Sequence, residues 1–200
     1  MPRLLPAALA VLLTAPALAQ SDLSPSPVAL GASGTYAGVV ATRSFASLSD
    51  LRAPGVSLDA TYGRLSLGAG VAFYEYDTPV GLSAGVHLAR RPQDHLATTL
   101  GVAVSTGDHT FVTPTLSHQQ RAFGGPGLAV VPGASVGLAV GTVGRTYNAL
   151  TPVAAAQLGV VVGRGPTRAV VAPQVGWTGG EANAVALGLS AGLTRGLRRR

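Results

Sequence analysis

Leu65-Ser66-Leu67-Gly68-Ala69-Gly70-Val71-Ala72-Phe73 alternates between two kinds of residue. The odd positions are Leu, Leu, Ala, Val and Phe, and the even positions are Ser, Gly, Gly and Ala. A period of two sends successive side chains to opposite faces of a β-strand. The pattern returns at residues 80–88, 96–104, 134–140 and 185–193. In each case one face is mainly aliphatic and the other is built from glycine, alanine, serine, threonine and a few polar groups. Many strands of this kind predict a closed antiparallel barrel whose aliphatic face meets lipid.

The beginning of the chain supports export. Arg3 supplies a positive start, Leu4 to Leu13 an apolar stretch, and Ala17-Leu18-Ala19 a small-x-small cleavage site. Residues 1–19 therefore read as a cleaved signal peptide, with Gln20 as the first mature residue. Pro6 and Pro16 interrupt the apolar run, and no later segment offers about 20 uninterrupted apolar residues for a spanning helix.

Composition points the same way. Charged residues make up 11% of the chain, well below the ~25% usual in soluble domains, and the mean hydropathy is +0.38. With so little charge a soluble protein has difficulty covering its surface. There is no cysteine, which excludes disulfides, thiolate metal sites and a cysteine nucleophile. All 14 basic residues are arginine, and loss of Arg3 with the signal leaves 13 − 8 = +5. The arginines fall at turns and strand ends and no aromatic residues interleave with them, so they suit lipid phosphates better than nucleic acid.

The expected organisation is a signal at 1–19, a short linker at 20–27, an all-β barrel over 28–197 and a basic tail at 198–200. Ten strands are predicted, over 28–40, 54–62, 65–76, 80–90, 95–107, 110–117, 126–142, 152–163, 168–178 and 184–196. The sixth is interrupted by Pro114. An even number returns the chain to its starting side, so the fold is an up-and-down transmembrane barrel of eight to ten strands, with ten favoured. Ten residues at ~3.3 Å each, tilted ~45°, rise roughly 23 Å, near the ~25 Å apolar band of such barrels. Tyr62, Phe73, Tyr74, Tyr76 and Trp177 sit near strand ends, where aromatic girdles form.

On these features, Val56–Tyr62 followed by Arg64–Tyr76 and a final strand at Ala184–Leu193, the chain resembles the small outer-membrane β-barrels similar to the transmembrane domains of OmpA and OmpX. The resemblance spans nearly the whole mature chain. It implies residence in a bacterial outer membrane, insertion by the barrel-assembly machinery, outer-membrane lipid as a partner, and loops facing the outside. Members often end on an aromatic residue, whereas this chain ends Gly196-Leu197-Arg198-Arg199-Arg200, a solvated basic tail.

Candidate chemistry is sparse. Histidines stand at 87, 95, 109 and 118, with no HExxH and no His-x-Ser. His87 lies on the small-residue face; the other three fall in or beside connections and read as solvated. There is no lysine, hence no phosphate loop of the Walker type. No catalytic, metal or cofactor residues are assigned, although a triad assembled from separate strands stays open. The lumen-facing candidates are Asp59, His87, Gln157 and Gln174. The remaining inward residues are small and fill the interior poorly. Barrel flattening, water, an inserted segment or a bound molecule has to take up the gap. The expected role is structural or surface-interacting. The alternatives are a narrow channel for a small solute and a secreted soluble barrel shaped like a lipocalin.

Overall fold

The computed structural model describes residues 20–42, 52–73, 78–107, 109–125, 127–143, 147–180 and 183–197. The proposed signal, the basic tail, Tyr74 and Tyr76 lie outside these residues. Every strand pairs antiparallel with its neighbours. A short 3₁₀ turn, η1 (Gln20–Leu23), precedes β1 (Val28–Thr42), β2 (Arg52–Tyr62), β3 (Leu65–Ala72) and β4 (Val80–Arg91). A second 3₁₀ turn, η2 (Pro92–Asp94), leads into β5 (Leu96–Thr106) and β6 (His109–Gln119). Then come β7 (Phe123–Gly125), β8 (Leu128–Val143), β9 (Tyr147–Val162), β10 (Thr167–Thr178) and β11 (Ala184–Gly196).

The sheet closes on itself. From β6 the order runs back through β5, β4, β3, β2 and β1 to β11, then β10, β9 and β8, and β8 pairs with β6. Ten long strands make the wall, the higher of the expected numbers. The three-residue β7 continues the line of β6 and pairs with the start of β8, Phe123 opposite Val130. That piece was expected to be loop. The loop predicted after Val143 is also shorter, because β9 already begins at Tyr147.

Prolines do not break these strands. Pro54, Pro114, Pro132, Pro152 and Pro173 all stand on the outward face of their strands. The ladder yields locally instead. The β6–β8 register skips from Val112 to Thr115, and the β9–β10 register skips from Val171 to Gln174. Each gap spans a proline, whose missing N–H removes one rung.

Among the described residues exposure follows the alternation along the long strands, apart from the bulge after His87 in β4 and the buried Val130 in β8. Leu58 is 66% exposed, Leu67 61% and Leu82 59%, and the same outward face carries Leu100, Val136, Leu158, Val175 and Leu187. Inward positions are buried and small, among them Ala103, Ser105, Thr113, Thr115, Ser117, Ala139 and Ser190. A soluble barrel has the reverse arrangement, with its large apolar side chains inside.

All the described short connections that join β2 to β3, β4 to β5 and β9 to β10 share one end with the start of β1 and the end of β11. This terminal end also receives the segment before β1. Residues 20–27, expected to be a linker, enter the barrel there. Gln20, Ser21, Asp22, Leu23 and Ser24 are all buried.

Candidate functional site

The inward faces of β1, β2, β4 and β11 would leave a gap, because glycine recurs where they approach the axis. Gly31 and Gly192 show why. A Cβ on Gly31 would stand 2.8 Å from the backbone nitrogen of Ser21, behind the carboxylate of Asp59, and one on Gly192 would stand 2.7 Å from Oε1 of Gln20, while also meeting the Ala32 carbonyl of β1. These glycines are seats for the inserted segment. Its hydrophobic anchor is Leu23, fully buried in a cluster with Ala129, Val131, Val161 and Val170 from β8, β9 and β10. A buried leucine of this kind contributes about 2–5 kcal/mol relative to alanine.

Polar groups hold the opposite side. The Ser21 backbone N–H donates to Oδ2 of Asp59 at 2.6 Å. The Thr61 hydroxyl donates to Oδ1 of Asp22 at 2.9 Å and lies 2.6 Å from Oγ of Ser21. Since Thr61 has only one hydroxyl proton, Ser21 is the donor in that second bond. Asp22 Oδ1 also lies 3.2 Å from Nε2 of His87 and 3.6 Å from Nε of Arg90. Neither nitrogen is placed well enough for a hydrogen bond, so the Arg90 contact is chiefly electrostatic and the His87 contact is one of packing.

Arg90 grips the segment twice. Its Nη1 donates to the Pro27 carbonyl at 2.9 Å and to the Gly63 carbonyl at 3.3 Å, while Nη2 donates to the Ser26 carbonyl at 3.0 Å. Its guanidinium therefore ties Asp22, the exit of the segment and the β2–β3 turn together. The fixed fork of arginine suits such multiple acceptance where a lysine would not.

His95 closes the terminal end. It adopts a left-handed backbone conformation (φ 48°) just after η2 and is 2% exposed. Burial pushes its imidazole below the usual histidine pKa, and Arg168 and Arg121 lower it further. Hydrogen bonding to the Leu23 backbone works in the other direction. The expectation that His95 is solvated is thus overturned. A turn in the sequence is surface only when nothing from elsewhere packs on it, and here Leu23 does. His118 does face outward, with Nδ1 2.9 Å from the Thr98 hydroxyl, and the side chain of His109 lies outside the described residues.

Of the lumen candidates, Asp59 and His87 meet the inserted segment. His87 places Nδ1 2.8 Å from the Thr99 hydroxyl. Gln157 and Gln174 stand opposite each other across β9 and β10, and Gln174 lies over Gly188. Sequence reasoning missed Ser21, Asp22, Leu23 and Arg90. A signal existed: Asp59 is flanked in register by Gly31 and Gly68, so an inward carboxylate had no partner in the wall.

Thr99, His87 and Asp22 place a hydroxyl, an imidazole and a carboxylate in the order of a nucleophilic triad, but without the imidazole–carboxylate hydrogen bond that a triad needs. Its surroundings do not suit a substrate. The adjoining cavity, lined by Asp22, Ser66, Ser83, Thr99, Thr115 and Ser117, is about 30 Å³, room for one water. Among the described residues no three His, Asp or Glu side chains are placed to hold a metal ion. The arrangement binds a chain segment. Comparison with protein-family models gives no match, and no curated protein matches the sequence.

Because the natural sequence has no cysteine, one placed at Ser24 is a clean reporter of insertion. In folded Ser24→Cys protein a polar maleimide should label the thiol slowly. Adding Gly31→Val, which fills the seat of Ser21, should raise the labelling rate at least about tenfold, as a displacement costing ~1.4 kcal/mol requires. Equal rates in the two proteins would show that Gly31 does not seat the segment.

Proposed function

We propose that this chain is an outer-membrane β-barrel with a structural or surface-interaction role and no catalytic activity, its lumen closed by its own N-terminal segment. The observation that carries the reading is the outward belt of large apolar side chains, mostly leucine and valine, to which every long strand contributes. Soluble monomers rarely expose more than a few hundred Å² of contiguous apolar surface. Export through residues 1–19 and delivery by the barrel-assembly machinery complete the proposal, with outer-membrane lipid as the surrounding partner. The inserted segment argues against the narrow-channel alternative for the intact protein. The outward leucines argue against a lipocalin-like carrier, whose apolar residues would line the interior.

Expression with the native leader tests this. The protein is expected in the outer-membrane fraction, extractable by detergent and not by salt. It is expected to run at different positions on a gel before and after boiling, because closed barrels resist unfolding. A salt-soluble periplasmic protein would replace this reading with the soluble carrier.

A further inference from the structure

The outward belt has a depression over β1. Over β1 the outward residues shrink to Ala32 and Gly34, and the neighbouring β11 contributes Ala191. Leu58 and Val56 on one side and Leu193 on the other rise around them, enclosing an open groove of about 690 Å³. The groove runs along β1. Toward the terminal end, the outward pair one step beyond Ala32 and Leu193 is Leu30 and Arg195. Two residues along a strand span about 6.8 Å, well within reach of an arginine side chain. In the other direction the next outward residue on β1 is the exposed Tyr36.

Arg195 is exposed, and no carboxylate among the described residues pairs with it. Its end of the barrel also exposes Arg64, Arg91 and Arg164, against one partly exposed acid, Asp94, which is 3.4 Å from Arg121. The sequence joining the strands at the opposite end is different, with Asp50, Glu75, Asp77, Asp108 and Glu181 against Arg43 and Arg145. An arginine one outward step beyond an apolar groove, within reach of its end, complements a molecule that has an anion at one end and hydrocarbon at the other. A nucleic acid offers phosphate without the hydrocarbon, and an acidic peptide leaves the groove unfilled.

We propose that the groove over β1 and β11 seats an anionic phospholipid, its phosphate on Arg195 and one acyl chain over Ala32, Gly34 and Ala191. The proposal rests on the membrane reading above. It adds a specific lipid site and a direction, because the arginine-bearing terminal end then lies at a phospholipid headgroup layer.

The full mature barrel would be reconstituted in vesicles of equimolar phosphatidylcholine and phosphatidylglycerol and re-extracted in mild detergent. The lipid still bound would be counted by native mass spectrometry. The natural protein should retain phosphatidylglycerol in preference to phosphatidylcholine. Arg195→Gln should reduce that preference about tenfold. Gly34→Leu should abolish retention, and it should fold normally: a Cβ there meets only the Gly55 carbonyl, at 3.9 Å. Migration before and after boiling checks that each variant has folded into the bilayer. Preference surviving Arg195→Gln, or retention surviving Gly34→Leu, would overturn the lipid site. Insertion without any preference for phosphatidylglycerol would overturn it while leaving the membrane reading intact. Failure of the natural protein to enter vesicles of either lipid would overturn both.

Discussion

Removing Gln20–Pro27 should turn a silent barrel into a conducting one. In planar bilayers the intact protein is expected to pass little current, because Leu23 and Asp22 occupy the terminal half of the lumen. Without them the interior wall is glycine, alanine, serine and threonine at most levels, which leaves a path for water and small ions. Discrete low-conductance steps should appear, and Gly137→Phe in the shortened protein should reduce them. Stability should fall too. Losing the buried Leu23 side chain costs about 2–5 kcal/mol. Losing Asp22 leaves Arg90 without its only carboxylate partner among the described residues, a change worth about 3–5 kcal/mol for a buried pair. Asp22→Ala and Leu23→Ala separate the contributions, since each weakens the segment without shortening the chain. A deletion variant that folds and stays silent would show that the strand side chains alone close the barrel.

Arginine scanning of the outward face should give a depth profile. Val86→Arg and Leu189→Arg lie near the middle of β4 and β11, and each should cost ~2–4 kcal/mol and deplete assembled barrel if the belt lies in hydrocarbon. Thr167→Arg introduces the same group on the same face at the terminal rim, opposite Arg195. It should cost no more than ~1 kcal/mol. Equilibrium unfolding in urea from lipid vesicles measures all three. A soluble barrel would tolerate the three alike, since exposed leucine or valine replaced by arginine loses nothing in water. Equal stability across the series would therefore remove the membrane assignment.

Most of the wall was legible because strand alternation is a local property. The face of Leu65–Phe73 could be assigned from nine residues, and the assignment extends to partners through register, as when Leu67 meets Ala60 and Ala84. Pro114 marked the sixth strand as interrupted, and β6 does run through it: the proline stands outward, and the ladder gives way for two residues. The inserted segment was not legible. Gln20-Ser21-Asp22-Leu23 has no periodicity, and its partners lie far off in the chain, with Ser21 forty positions from Thr61. Such contacts follow from volume and charge in the closed barrel, not from any window of sequence. His95 was misplaced for the same reason, since its burial is caused by a residue more than seventy positions earlier.

The barrel closes where β1 meets β11, the strands farthest apart in the sequence. Their register runs from Ala29 with Gly196 to Thr42 with Ala184. The segment before β1 is tied across this seam: the Ser26 hydroxyl donates to the Leu197 carbonyl at 3.0 Å, and the Leu197 N–H donates to the Val28 carbonyl at 2.8 Å. Contacts of such long sequence separation form late and slowly, so folding should be limited by closure, with the N-terminal residues latching it from within. A chain stopped before β11 would have neither the seam nor the latch. It would present β1 as an unpaired edge, open to pairing with another copy.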